Sequence, residues 1–153
     1  MGYTHYWERQ TGEHDAAKFG EFARVAAIVV ELATKRGVKI GDALGEGKPY
    51  VINEQKIALN GVGAESHESF VLTRVSSGFE FCKTNEKPYD VVVVAILVLY
   101  KHFFPEVVFS SDGGLADLQA GLALVREALG VDLVLVRGKD GFTVELPGSK
   151  PVA

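Results

Sequence analysis

The stretch from Lys87 to Pro105, KPYDVVVVAILVLYKHFFP, decides how the rest of the chain is read. Four consecutive valines suit a strand, and hydrophobic periodicity alone does not separate a short buried strand from a buried helix. The flanks do. Pro88 suits the first helical position, Asp90 the first turn and Lys101 and His102 the last, and Pro105 stops the run. Pro88 to Phe104 is long for a strand and ordinary for a helix, so the stretch predicts a buried central helix. Its apolar run, Val91 to Tyr100, is ten residues. That is about half of the roughly twenty that a membrane span needs, and no membrane partner is expected.

Upstream, Tyr3 to Gln10 alternates, with Tyr3, His5, Trp7 and Arg9 on one face of a strand. Asp15 is a candidate N-cap for a helix carrying Phe19, Phe22, Ala26, Val29, Val30 and Ala33, and Gly37 suits its end. Residues 41–49 read as a Gly/Pro loop. Four short strands follow, at Tyr50–Asn53, Lys56–Asn60, Ser69–Val75 and Phe79–Thr84. Ser76-Ser77-Gly78 signals a hairpin between the last two, so the four read as an antiparallel meander.

Downstream of the central helix, Val107–Ser110 reads as a strand. Asp112 is placed to cap a third helix with Leu115, Leu118, Leu122, Val125 and Leu129 on one face and Gly130 behind it. Asp132–Val136 and Phe142–Leu146 form a closing hairpin. The order β-α-β-β-β-β-α-β-α-β-β predicts an α+β fold, a mainly antiparallel sheet with three helices packed on it. Residues 1–146 are expected to form one domain, and 147–153 a loose tail.

The chain has 153 residues and 16.5 kDa, enough for one ordinary domain. Sixteen Lys and Arg against twenty Asp and Glu give a formal charge of -4. There is no basic stripe to follow phosphates, so a nucleic-acid partner is not expected. Cys82 is the single cysteine. It excludes an internal disulfide and a Cys-Cys metal knuckle, and suits a reducing compartment. The opening MGYTHYWERQ has neither the basic nor the apolar stretch of a secretory signal, and Tyr6 stands where a myristoylation motif has Ser or Thr. A cytoplasmic protein is expected.

Four groups of residues carry candidate chemistry. Phe81 to Asp90 runs from a strand into a helix start, where free N–H groups and the positive dipole end favour anions. Lys83, Thr84, Lys87, Tyr89 and Asp90 are ligand-binding candidates there; the plainer reading is a capped helix with two solvated lysines. Phe109-Ser110-Ser111-Asp112-Gly113-Gly114 repeats the pattern and adds Ser111, with a Ser/Asp cap as its plainer reading. His5 and Trp7 share a strand face, where Trp7 would stack on a ring or simply pack. Asn60 precedes a loop holding His67 and Glu68. With His5 and Asp112 these make candidate acid-base residues, and no metal site is expected. Cys82 reads as a buried, inert thiol.

The patches Gly2-Tyr3-Thr4-His5-Tyr6-Trp7, Asn60-Gly61-Val62-Gly63 with His67-Glu68-Ser69-Phe70, Phe81-Cys82-Lys83-Thr84 with Lys87-Pro88-Tyr89-Asp90, and Ser110-Ser111-Asp112-Gly113 resemble those of an uncharacterised family of small bacterial and phage-borne proteins. The resemblance reaches from the first residues to about Gly130 and implies that the four patches belong to one design. It implies no activity and no cofactor. The residues themselves suggest a small-ligand binding protein. Lys83 and the helix start would hold an anionic, nucleotide-like metabolite, in a pocket shared with His5, Trp7, His67, Thr84, Tyr89 and Asp112. One alternative is a hydrolase with His5 or His67 as base, oriented by Asp112 or Glu68. Another is a structural or interaction protein, a homo-oligomer or a phage accessory protein.

Overall fold

The computed structural model describes residues 3–10 and 12–147. The expected tail, 147–153, falls almost wholly outside them. Eight strands and three α-helices follow one another as β1 (Thr4–Arg9), α1 (Ala16–Lys35), β2 (Val51–Ile52), β3 (Lys56–Leu59), β4 (Phe70–Thr73), β5 (Gly78–Lys83), α2 (Asp90–Phe103), β6 (Val108–Ser111), α3 (Gln119–Leu129), β7 (Val134–Arg137) and β8 (Phe142–Glu145). The fold is α+β, and every strand pairing is antiparallel.

The strands form two sheets, β5-β1-β6-β8-β7 and β2-β3-β4. This corrects the four-stranded meander. The first three of its strands do form a meander, but β5 leaves it and pairs with β1, His5 opposite Cys82 and Trp7 opposite Glu80. Ser76-Ser77-Gly78 is a crossover between sheets and not a hairpin. Val75 bridges Glu13, and the Ser76 N–H donates to the Gly12 carbonyl. The turn residues are those of a hairpin, but the alternation of β1 offers β5 a better partner.

α2 is the centre of the molecule. Val92 to Tyr100 are all buried, and the helix touches α1, α3, β6 and β8. A helix enclosed on all sides has no need of a polar face, which is why its sequence looks strand-like. It begins at Asp90, so Pro88 lies in the turn before it and not at its first position. Gly121 of α3 lies against α2; a Cβ there would stand 2.5 Å from Val94 Cγ1. Asp15 caps α1, its carboxylate accepting from the Lys18 N–H at 2.9 Å. Gly37, just past α1, has a φ of 95°. Gly130 ends α3 in the left-handed conformation.

Asp112 does not cap α3. Leu115–Leu118 form a 3-10 turn first, and Asp117 accepts the Gly114 N–H. The Asp112 carboxylate turns back to β1 and accepts from the Thr4 N–H and the Tyr6 hydroxyl, both at 3.0 Å.

Candidate functional site

β1 is flanked by β5 and β6, so both strand-to-helix junctions reach the same end of the large sheet. Thr4 pairs with Lys83 on one side, and its carbonyl accepts the Asp112 N–H on the other. Two strand spacings, about 9.5 Å, separate those backbones. The pleat then divides the side chains. His5, Cys82 and Ser111 lie across from one another on the helix-facing side, while Lys83, Tyr6 and Asp112 belong to the opposite face.

On the helix-facing side, His5 is fully buried and both ring nitrogens are engaged. Nε2 lies 2.6 Å from Asp90 Oδ1, and Nδ1 lies 2.7 Å from Ser111 Oγ. The buried Thr84 hydroxyl donates to the same Asp90 oxygen at 2.5 Å. The Gly113 N–H donates to Ser111 Oγ at 3.0 Å. One pattern of protons satisfies all of these. Nε2–H donates to the Asp90 carboxylate, and the Ser111 hydroxyl donates to Nδ1 while accepting from Gly113. β1, β6, the β5–α2 turn and the first turn of α2 each contribute one member.

Tyr3 closes the group. Its ring meets His5 edge-on at 5.1 Å, and its hydroxyl stands where a Cβ on Gly113 would be, 2.1 Å from that position. This close approach requires glycine at 113. Burial, with help from the negative charges of Asp90, Asp117 and Glu86, pushes the Tyr3 phenol up to about 12, so it remains a hydrogen-bond donor at neutral pH. Sequence reading passed Tyr3 over, although the alternation of β1 places it on the face of His5.

The turn into α2 is built on strained backbone. Asn85 and Glu86 both have positive φ, 53° and 57°, and the Lys87 N–H closes onto the Thr84 carbonyl at 3.1 Å. Several amides at the helix start are already engaged. The N–H groups of Lys87, Asp90 and Val92 donate to Thr84, Lys87 and Tyr89 carbonyls, and Asp90 places its own carboxylate in the first turn. An anion there would meet Asp90 and the nearby Glu86.

The remaining expected residues serve the scaffold or lie on its surface. Trp7 is buried, its indole N–H donating to Glu80 Oε2 at 2.9 Å and its ring 5.3 Å from Phe70. Tyr89 is buried and donates its hydroxyl to the Glu68 carbonyl at 2.7 Å. Asn60 clamps the 61–68 loop: Nδ2 donates to the carbonyls of Ala43 and His67, and Oδ1 accepts the N–H groups of Gly61 and His67. His67 is exposed. The Glu68 carboxylate accepts the Lys83 N–H at 2.7 Å. Lys83 and Lys87 are half-buried. Burial pushes the Cys82 thiol up to about 12, which leaves it unreactive.

Among the described residues no three His, Cys, Asp or Glu side chains gather so as to hold a metal ion, and no helix is long and apolar enough to cross a membrane. Comparison of the chain with protein-family models, with curated proteins and with solved structures finds no match.

Proposed function

We propose that the chain is a hydrolase in which Ser111 is the nucleophile, His5 the general base and Asp90 the group that orients and steadies the imidazole. The observation that carries this reading is the continuous chain Ser111–His5–Asp90, with contacts of 2.7 and 2.6 Å and Thr84 fixing the carboxylate. A serine hydroxyl is a weak nucleophile until a base takes its proton, and the base works best when a buried acid holds its far nitrogen. The two ring nitrogens have exchanged roles relative to the usual serine-hydrolase arrangement, with Nδ1 facing the serine.

In this mechanism Ser111 Oγ attacks an ester or amide carbonyl and its proton passes to His5 Nδ1. Asp90 stabilises the imidazolium. The amides of Asp112, Gly113 and Gly114 are already bonded to Thr4, Ser111 and Asp117, so they do not receive the oxyanion. We assign that role to the Tyr3 phenol, which lies against Gly113. His5 returns the proton to the leaving group, and water activated by the same nitrogen releases the acyl group. The carboxylates of Asp90, Asp117 and Glu86 around Tyr3 favour a neutral or cationic substrate.

The test is covalent labelling with a fluorophosphonate, followed by mass spectrometry. Modification of Ser111 that is lost in His5→Gln supports the reading. An unlabelled native protein, or label that persists in Ser111→Ala, overturns it.

A further inference from the structure

The two sheets meet along β4 and β5, and that seam carries a second candidate site. The loop before β4 closes one end of the seam, where the Glu68 N–H donates to the Lys83 carbonyl at 3.2 Å. At the other end Arg9 reaches across from β1 and donates to the carbonyls of Thr73 and Arg74. Between these closures lies a cleft of about 500 Å³ lined by Trp7, Val71, Thr73, Phe79, Glu80 and Phe81. That volume falls within the usual range of ligand clefts.

The register shows which backbone groups face the cleft. The Thr84 N–H donates to the Tyr3 carbonyl. The strict pairing of β5 with β1 therefore turns Cys82, Glu80 and Gly78 toward β1, and Phe81 and Phe79 away from it. In the same way the Arg74 N–H donates to Gln55, so Leu72 and Phe70 face β3, and Thr73 and Val71 turn away. Two strand edges thus aim main-chain donors and acceptors at the seam. Beside them stands exposed apolar surface: Phe79 is 59% exposed, Phe81 56%, Val75 57% and Val71 41%. Phe79 is also stacked on Tyr6 at 5.8 Å.

We propose that this cleft binds an extended peptide, which adds as a short strand along the Phe79–Phe81 edge. The main chain of the peptide pairs with the N–H and C=O groups of Phe79 and Phe81. Its alternate side chains pack on Phe79, Phe81 and Val71, so apolar residues two apart are preferred. A second copy of the chain is the poorer occupant. Self-pairing through β5 needs that edge to protrude, whereas here β4 stands beside it. This proposal is independent of the Ser111 chemistry, since Ser111 lies on β6, beyond β1 from the Phe79–Phe81 edge.

Selection of random nonapeptides displayed on phage, with the full chain as bait, provides the probe. Selected peptides are resynthesised and titrated into ¹⁵N-labelled protein. The expected result is enrichment of sequences with apolar residues at alternate positions, and slowed amide exchange at Phe79 and Phe81. Methylation of alternate peptide nitrogens in one register weakens binding at least tenfold, and methylation in the other register does not. Phe79→Thr with Phe81→Thr, both at exposed positions, abolishes selection while the thermal melt is kept. Absence of enrichment, tolerance of methylation in both registers, or protection of these amides by dimerisation of the chain alone overturns the proposal.

Discussion

His5 and Asp90 stand 85 residues apart in sequence and 2.6 Å apart in the fold. That contact ties β1, an interior strand of the large sheet, to the first turn of the central helix, so it serves the architecture as well as the proposed chemistry. Replacing His5 by Phe leaves the half-buried Asp90 carboxylate and the Ser111 hydroxyl without the ring. The expected loss is about 2–4 kcal/mol in urea unfolding, against about 1 kcal/mol for Ser111→Ala. A His5→Phe loss no larger than that of Ser111→Ala would show that the contact does not anchor the helix.

His14 predicts a specific acid limb. It is buried, with Nε2 2.5 Å from the Tyr100 hydroxyl, and Phe104 packs on its ring. Burial, with Arg9 and Lys18 nearby, lowers its pKa from 6.5 to about 4, and the more exposed Glu106 only partly offsets this. Between those values the unfolded chain holds a proton that the fold rejects. Stability is therefore full above about pH 6.5 and falls as pH drops toward 4, by about 3 kcal/mol for this group. Urea unfolding at pH 7 and pH 4.5 should show a smaller difference in His14→Gln than in the native chain.

Gly121→Ala is expected to destabilise despite the better helix propensity of alanine, worth about 1 kcal/mol. The added methyl would lie 2.5 Å from Val94 Cγ1 and 2.9 Å from the Ala95 nitrogen, so α2 and α3 must separate. A loss of about 1–3 kcal/mol in urea unfolding is the expected outcome.

Glu86→Gly is expected to stabilise by about 0.5–1 kcal/mol. A φ of 57° strains any L-residue, and Asn-Gly is the favoured pair for a turn with both central residues left-handed. Glu86→Val, branched at Cβ, should lower the melting temperature at the same position.

The flanks of α2 made that helix legible, because Pro, Asp and Lys/His act through local backbone geometry and the helix dipole. The same holds for Asp15 and for the glycines behind α1 and α3. The departure of β5 from the meander was not legible, since Ser76-Ser77-Gly78 is good turn chemistry whichever strand comes next. Pairing with β1 depends on contacts some seventy residues away. The site followed the same division. His5, Ser111 and Asp90 each stood out as candidates, but His5 as a base, and Asp90 and Ser111 as ligand contacts. Only the sheet order, with β1 between β5 and β6, makes them neighbours. Trp7, Tyr89 and Asn60 are polar-tipped residues whose tips find partners within the fold, an outcome that residue type alone does not distinguish from ligand binding.

The interior position of β1 has a consequence for biosynthesis. As it leaves the ribosome, β1 has neither neighbour available until residues 78–83 and then 108–111 have been translated. Until then its aromatic side can only rest against α1 or a chaperone. About a hundred residues after β1 must emerge before that strand is flanked on both sides, so closure of the large sheet trails its first strand by a long interval of synthesis, and truncations before β6 would prevent it.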